Sequence, residues 1–149
     1  MKITFLTLAT LILVVSTPAV TVAQKINSLT SAAKGSGRLN IANVDTHKLT
    51  GALVILRENG AAEITLYSNG QIYGQGKWSE DAEHGDAIDL NITGGLIRGN
   101  AIGTGKLFLD TDRKSIVSLK INAQASGNNV SVEFIARKKT KSDAVAVFR

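Results

Sequence analysis

The densest group of side chains able to do chemistry is Ser79-Glu80-Asp81-Ala82-Glu83-His84-Gly85-Asp86, which holds four carboxylates and an imidazole. Carboxylate oxygens and an imidazole are what a divalent cation takes, and calcium accepts such oxygen ligands. The spacing of a calcium loop is absent, however, and acidic residues beside a glycine are equally what an exposed turn between strands needs. No metal is assigned to them. His47, in Asp45-Thr46-His47-Lys48, is the only other histidine and reads as part of a turn. The chain has no Cys, so a thiol nucleophile is impossible, and no serine sits in a Gly-x-Ser-x-Gly elbow. No catalytic residue and no cofactor are assigned, and the expectation is a protein that is not an enzyme.

One residue is a candidate ligand contact. Trp78 is the lone tryptophan and shares a face with Ile72, so it is expected to point inward. There it serves first as core and second as a platform for a ligand, because buried aromatics mainly supply packing area. Gly76-Lys77-Trp78 resembles the Gly-x-Trp of the first strand of lipocalins; here it lies mid-chain and covers three residues, so no function is carried over from that family. Tyr67, Tyr73 and Phe108 fall on the outer face, where they are candidates for a contact patch.

Three segments share one pattern, Gly-x-Gly followed by a basic and then a large apolar residue: Gly35–Leu39, Gly74–Trp78 and Gly103–Leu107. A phosphate cradle would need the third glycine of the dinucleotide fingerprint and a following helix, and neither is present. Glycines on the inward face of a strand instead allow a sharp bend at a barrel corner.

Around these residues the chain alternates between apolar and polar positions from Gly35 onward, which is the period of strands and not of helices. Leu39 and Ile41 face one way in the first strand, and Leu49–Leu56 is apolar on both faces. Ile64 and Leu66 alternate with Glu63, Thr65 and Tyr67. Ile88, Leu90 and Ile92 follow, then Leu107 and Leu109, then Val117, Leu119 and Ile121, then Val130, Val132, Phe134 and Ala136. Asn59-Gly60 and Asn69-Gly70 mark two hairpins, and such pairs suit the type I′ turn. Ala144–Phe148 is a further apolar stretch that can add or close a strand. Gly94–Ile102 reads as a long connection, either a lid over one barrel end or an extra short strand.

The expected fold is therefore all-β: an antiparallel up-and-down meander of about eight strands, closed as a barrel (lipocalin-like in shape) or folded as a closely related β-sandwich.

Residues 1–23 read as a secretory signal peptide. Met1-Lys2 supplies a positive start, Ile3–Val15 is mostly apolar, and Thr21-Val22-Ala23 offers a cleavage site. The apolar run is too short to span a membrane comfortably. Residues 24–34 form a polar lead or short plug, and 35–149 a single β domain. Cleavage leaves 126 of 149 residues, enough for one core. With no Cys, that core has no disulfide to help it, a habit of bacterial periplasmic or secreted proteins.

With Lys2 removed, 16 of the 17 basic residues face 12 acidic ones, a net +4. Part of that charge sits at Arg137, Lys138, Lys139, Lys141 and Arg149. Nucleic acid is not expected, since no aromatics interleave with these basic residues. An outer-membrane barrel is also not expected: the alternation places Arg, Asn, Glu, Thr and Lys outside, whereas such barrels are apolar there.

Two functions follow as expectations. The first is an exported non-enzymatic barrel that binds an apolar small molecule or lipid in its interior. The alternative is a solid-core interaction module that meets a protein partner or the anionic cell envelope through its outer face.

Overall fold

The computed structural model describes residues 25–97 and 99–138. The proposed signal peptide, Lys139, Lys141, Arg149 and the apolar stretch Ala144–Phe148 lie outside the described residues. Eight strands form the wall: β1 (Leu29–Ile41), β2 (Asp45–Leu56), β3 (Ala61–Tyr67), β4 (Gln71–Glu80), β5 (Ala87–Ile97), β7 (Ile102–Leu109), β8 (Ile116–Ala125) and β9 (Asn128–Ala136). A two-residue strand, β6 (Gly99–Asn100), pairs back on Leu96 and Ile97.

Each wall strand pairs antiparallel with the next in sequence, and β1 pairs with β9 from Gly35↔Ala136 to Ile41↔Val130. The meander thus closes on itself as a barrel, which decides between the two expected architectures. β1 begins at Leu29, so most of the segment read as a lead is already strand: Leu29 to Lys34 pair with Leu56 to Gly51 of β2.

The alternation read from the sequence is what fills the barrel. Leu39, Leu49, Ile88, Ile92, Leu107 and Leu119 are wholly buried, and Phe134, the largest fully buried side chain, sits among them. An eight-stranded barrel is about wide enough for its inward side chains to fill, and here they do. Burying each Leu or Ile contributes roughly 1.5–3 kcal/mol, the source of stability open to a chain without disulfides. Trp78 points inward as expected, half-buried against this core, and its indole N–H donates to the Arg57 carbonyl at 2.9 Å.

The inward glycines do the work of bends. At Gly76 a Cβ would lie 2.1 Å from the Asn91 carbonyl oxygen of β5, and at Gly103 one would lie 2.1 Å from that of Asn122 on β8. The neighbouring backbone occupies the space of a side chain, and the ladder slips register between Gln75 and Gly76.

Two local expectations change. Val117 points outward, because a register shift between Phe108 and Leu109 leaves it as the extra residue of a bulge and turns Ile116 inward instead. The Asn-Gly pairs do form hairpins, yet neither is a type I′ turn, which needs positive φ at both central residues. Only Gly60 of the first pair has positive φ, and it closes a three-residue loop in which its N–H donates to the Arg57 carbonyl at 2.9 Å. Neither residue of the second pair does. The two-residue turn with both φ positive is Ser126-Gly127, between β8 and β9.

Candidate functional site

The two ends of the barrel differ in charge. One end gathers the turns Arg57–Gly60, Asp81–Asp86 and Asp110–Ser115, together with the start of β1. Here the sequence's acidic hairpin is folded in on itself. The Asp81 side chain is 6% exposed and accepts hydrogen bonds from the amides of Glu83 (2.8 Å) and His84 (3.2 Å), from Lys106 Nζ, and pairs with His84 Nδ1 at 3.1 Å. Lys106, reaching across from β7, also stands 3.5 Å from Asp89.

The Lys106 ammonium above all, with the Glu83 and His84 amides, holds the Asp81 carboxyl well below the usual carboxylate range despite its burial. The same contact raises the Lys106 ammonium above its ordinary value. Next to it, Glu80 Oε1 accepts the Ile26 amide at 2.6 Å and Arg113 Nη2 at 3.2 Å, and the Ile26 side chain is buried. Ile26 therefore tucks in at this end, just ahead of β1. These groups latch the β4–β5 loop and the start of the described chain to the barrel. Among the described residues no group of three or more His, Asp or Glu is disposed to hold a metal ion.

The other end is open. A cleft of about 810 Å³ lies between the β1–β2, β3–β4 and β8–β9 turns and the end of β5. Its floor and apolar walls are Ile41, Ile72, Leu96 and Ile97, with Val44 and Tyr73 at the lip. Its hydrogen-bonding groups are His47, Ser68, Asn69, Gln71, Ser126 and Asn128. Among the described residues no Lys, Arg, Asp or Glu lines it; Asp45 stands 3.6 Å from His47 Nε2 without reaching the cleft. Arg98, next to Ile97 in the chain, lies outside the described residues.

Leu96 sets the depth of this cleft. β5 leaves the β4 ladder after Gly95 and turns back through Gly95 (φ 79°) and Leu96 (φ 68°), so that β6 can pair with Leu96 and Ile97. A leucine with positive φ is strained, and burial of its side chain over Gly74 holds it there. The connection read as lid or short strand is both: a minute hairpin whose first residue stoppers the barrel.

The structure separates the residues singled out from the sequence. His47 and Tyr73 both line the mouth, while Trp78 and His84 belong to the opposite half. Tyr73 is 62% exposed, Phe108 and Tyr67 are half-buried on the outer face, and Arg137 and Lys138 are exposed past β9. The floor residues Ile41, Ile72 and Leu96 were not legible as a site, because they carry the same alternation as the core. A signal exists once the strands are counted: three of the four connections at this end (Ala42-Asn43-Val44, Ser68-Asn69-Gly70, Ser126-Gly127) are uncharged, the fourth holding Arg98, whereas all three turns at the other end are charged.

Compared with family models, curated proteins and solved structures, the chain matches none.

Proposed function

We propose that the protein is an exported, non-enzymatic barrel that binds an apolar small molecule or the apolar part of a lipid. The cleft at the mouth, lined among the described residues by no Lys, Arg, Asp or Glu, carries this reading: ligand sites are concave, largely apolar, hold a few polar groups, and occur in the mouths of β-barrels at roughly 300–1,000 Å³. Because the interior is filled by side chains such as Phe134 and Leu39, the proposed site is the mouth and not the deep interior expected from the sequence. Export rests on the signal-like residues 1–23, and the destination is the periplasm or the medium. The outer wall bears exposed Arg38, Lys48, Arg57, Lys120 and Glu133 around an apolar interior. That is the reverse of a membrane-spanning barrel, and no helix among the described residues is long and apolar enough to cross a membrane.

Native mass spectrometry of the mature protein, taken gently from its exported fraction, tests this. The expected result is an added mass that is lost on denaturation and absent from Val44→Asp, a substitution at a lip residue 65% exposed. A bare mass, with no uptake of the apolar dye N-phenyl-1-naphthylamine, overturns it.

A second reading has its own observation. Ile102 and Ile135 are 67% and 66% exposed on the outside of the wall, as a protein-binding module would present them. Retention of the protein by a partner that is lost in Ile135→Lys, with the mouth variant unaffected, favours that reading.

A further inference from the structure

The order of strands around the barrel fixes which turns face each other across the mouth. Reading round the ring, the β3–β4 turn, the β1–β2 turn, the β8–β9 turn and the β5–β6–β7 connection follow one another. The β1–β2 turn and the end of β5 are therefore opposed, and both line the cleft mainly with apolar side chains: Ile41 and Val44, with the His47 imidazole beside them, on one side, and Leu96 and Ile97 on the other. The β3–β4 and β8–β9 turns form the other opposed pair. Both present polar, uncharged groups, Ser68, Asn69 and Gln71 against Ser126 and Asn128, with Ile72 and Tyr73 following Gln71 on the first of them.

We infer, resting on the reading of the mouth as a ligand site, that it takes a flat, uncharged ring molecule with hydrogen-bonding groups on two opposite edges. Two apolar walls facing each other suit the two faces of a ring. A flexible alkyl chain also buries area against two walls, but unlike a rigid ring it loses rotamer freedom on entering. Two polar walls at right angles to these suit the ring's edges. Asn and Gln each offer donors and an acceptor, and Ser offers both, so hydroxyl, carbonyl or amide groups at either edge find partners. An ionised edge group finds no counter-charge among the described lining residues, and moving a charge out of water without one is costly.

The test is fluorescence and calorimetric titration of the full mature protein with three probes: 2,6-dihydroxynaphthalene, 2,6-naphthalenedicarboxylate and 1-decanol. The inference expects the diol to bind at least tenfold tighter than either of the others. It also expects Gln71→Ala and Asn128→Ala each to weaken the diol several-fold while leaving decanol unchanged, and circular dichroism reports whether those variants keep the fold. Decanol binding as tightly as the diol, with Val44→Asp abolishing both, overturns the inference and leaves the mouth as an apolar site. Tighter binding of the dicarboxylate, lost in Arg98→Gln, overturns it in favour of a cationic clamp. No binding of any probe overturns both the inference and the reading beneath it.

Discussion

Leu96 occupies the space in front of Gly74: a Cβ on residue 74 would come within 2.9 Å of Leu96 Cδ2. The glycine in β4 and the strained leucine in β5 are halves of one device. It ends the filled interior and begins the open mouth, so the depth of the cleft depends on one side chain.

Truncating that side chain has two expected results. Leu96→Ala destabilises the protein by about 2–4 kcal/mol, the cost of emptying a buried leucine site, and deepens the cleft. Leu96→Gly is no less stable than Leu96→Ala, the reverse of the usual order in a strand, because glycine carries no penalty at positive φ. Urea unfolding of the two variants checks the ranking.

Gly76 and Gly70 form a matched pair. A methyl group at Gly76 meets the backbone of β5 at 2.1 Å, whereas at Gly70 nothing lies within 4 Å. Gly76→Ala is expected to prevent closure of the β4–β5 ladder or to cost more than about 2 kcal/mol, and Gly70→Ala to stay within roughly 0.5 kcal/mol of wild type. Thermal melts of both would show equal stability if the close approach were unimportant.

The Asp81–Lys106 latch makes a pH signature. The folded state holds Asp81 below its ordinary value, so its contribution is present above about pH 4, the unfolded value, and is lost as the pH falls towards the folded one. Lys106 is raised when folded, so its share is intact below the ordinary lysine value and disappears only as the pH rises through the folded one. Asp81→Asn should lower the melting temperature at pH 7 by more than Asp89→Asn does. It should also flatten the decline of melting temperature between pH 4 and pH 2. An unchanged acid slope would remove Asp81 from the account.

Trp78 separates mouth from interior. Trp78→Phe keeps the packing and loses the bond to Arg57, at an expected cost of about 1 kcal/mol. Uptake of an apolar dye should be unaffected. Loss of dye binding by a folded Trp78→Phe protein would return the ligand to the interior.

The barrel was legible in the sequence because a period of two residues is a local property: Ile88, Leu90 and Ile92 declare their shared face without any partner. Closure, bulges and latches are not local. Val117 looked inward because the alternation of β8 was extrapolated past Leu119, and only the pairing of Leu109 with Ile116 shows the extra residue. Asp81 and Lys106 are 25 residues apart, and no spacing rule joins an acidic turn to a lysine in a glycine-rich strand. The mouth escaped for a third reason. Its residues obey the rule for core, and their exposure follows from their place at the strand ends.

β1 and β9 are neighbours in the wall, and the start of β1 at Leu29 and the end of β9 at Ala136 both lie towards the charged end, where the Arg137 amide donates to the Lys34 carbonyl. The described chain therefore enters and leaves the wall at one end, and the segments before Lys25 and after Lys138 both set out from the side of the barrel opposite the cleft.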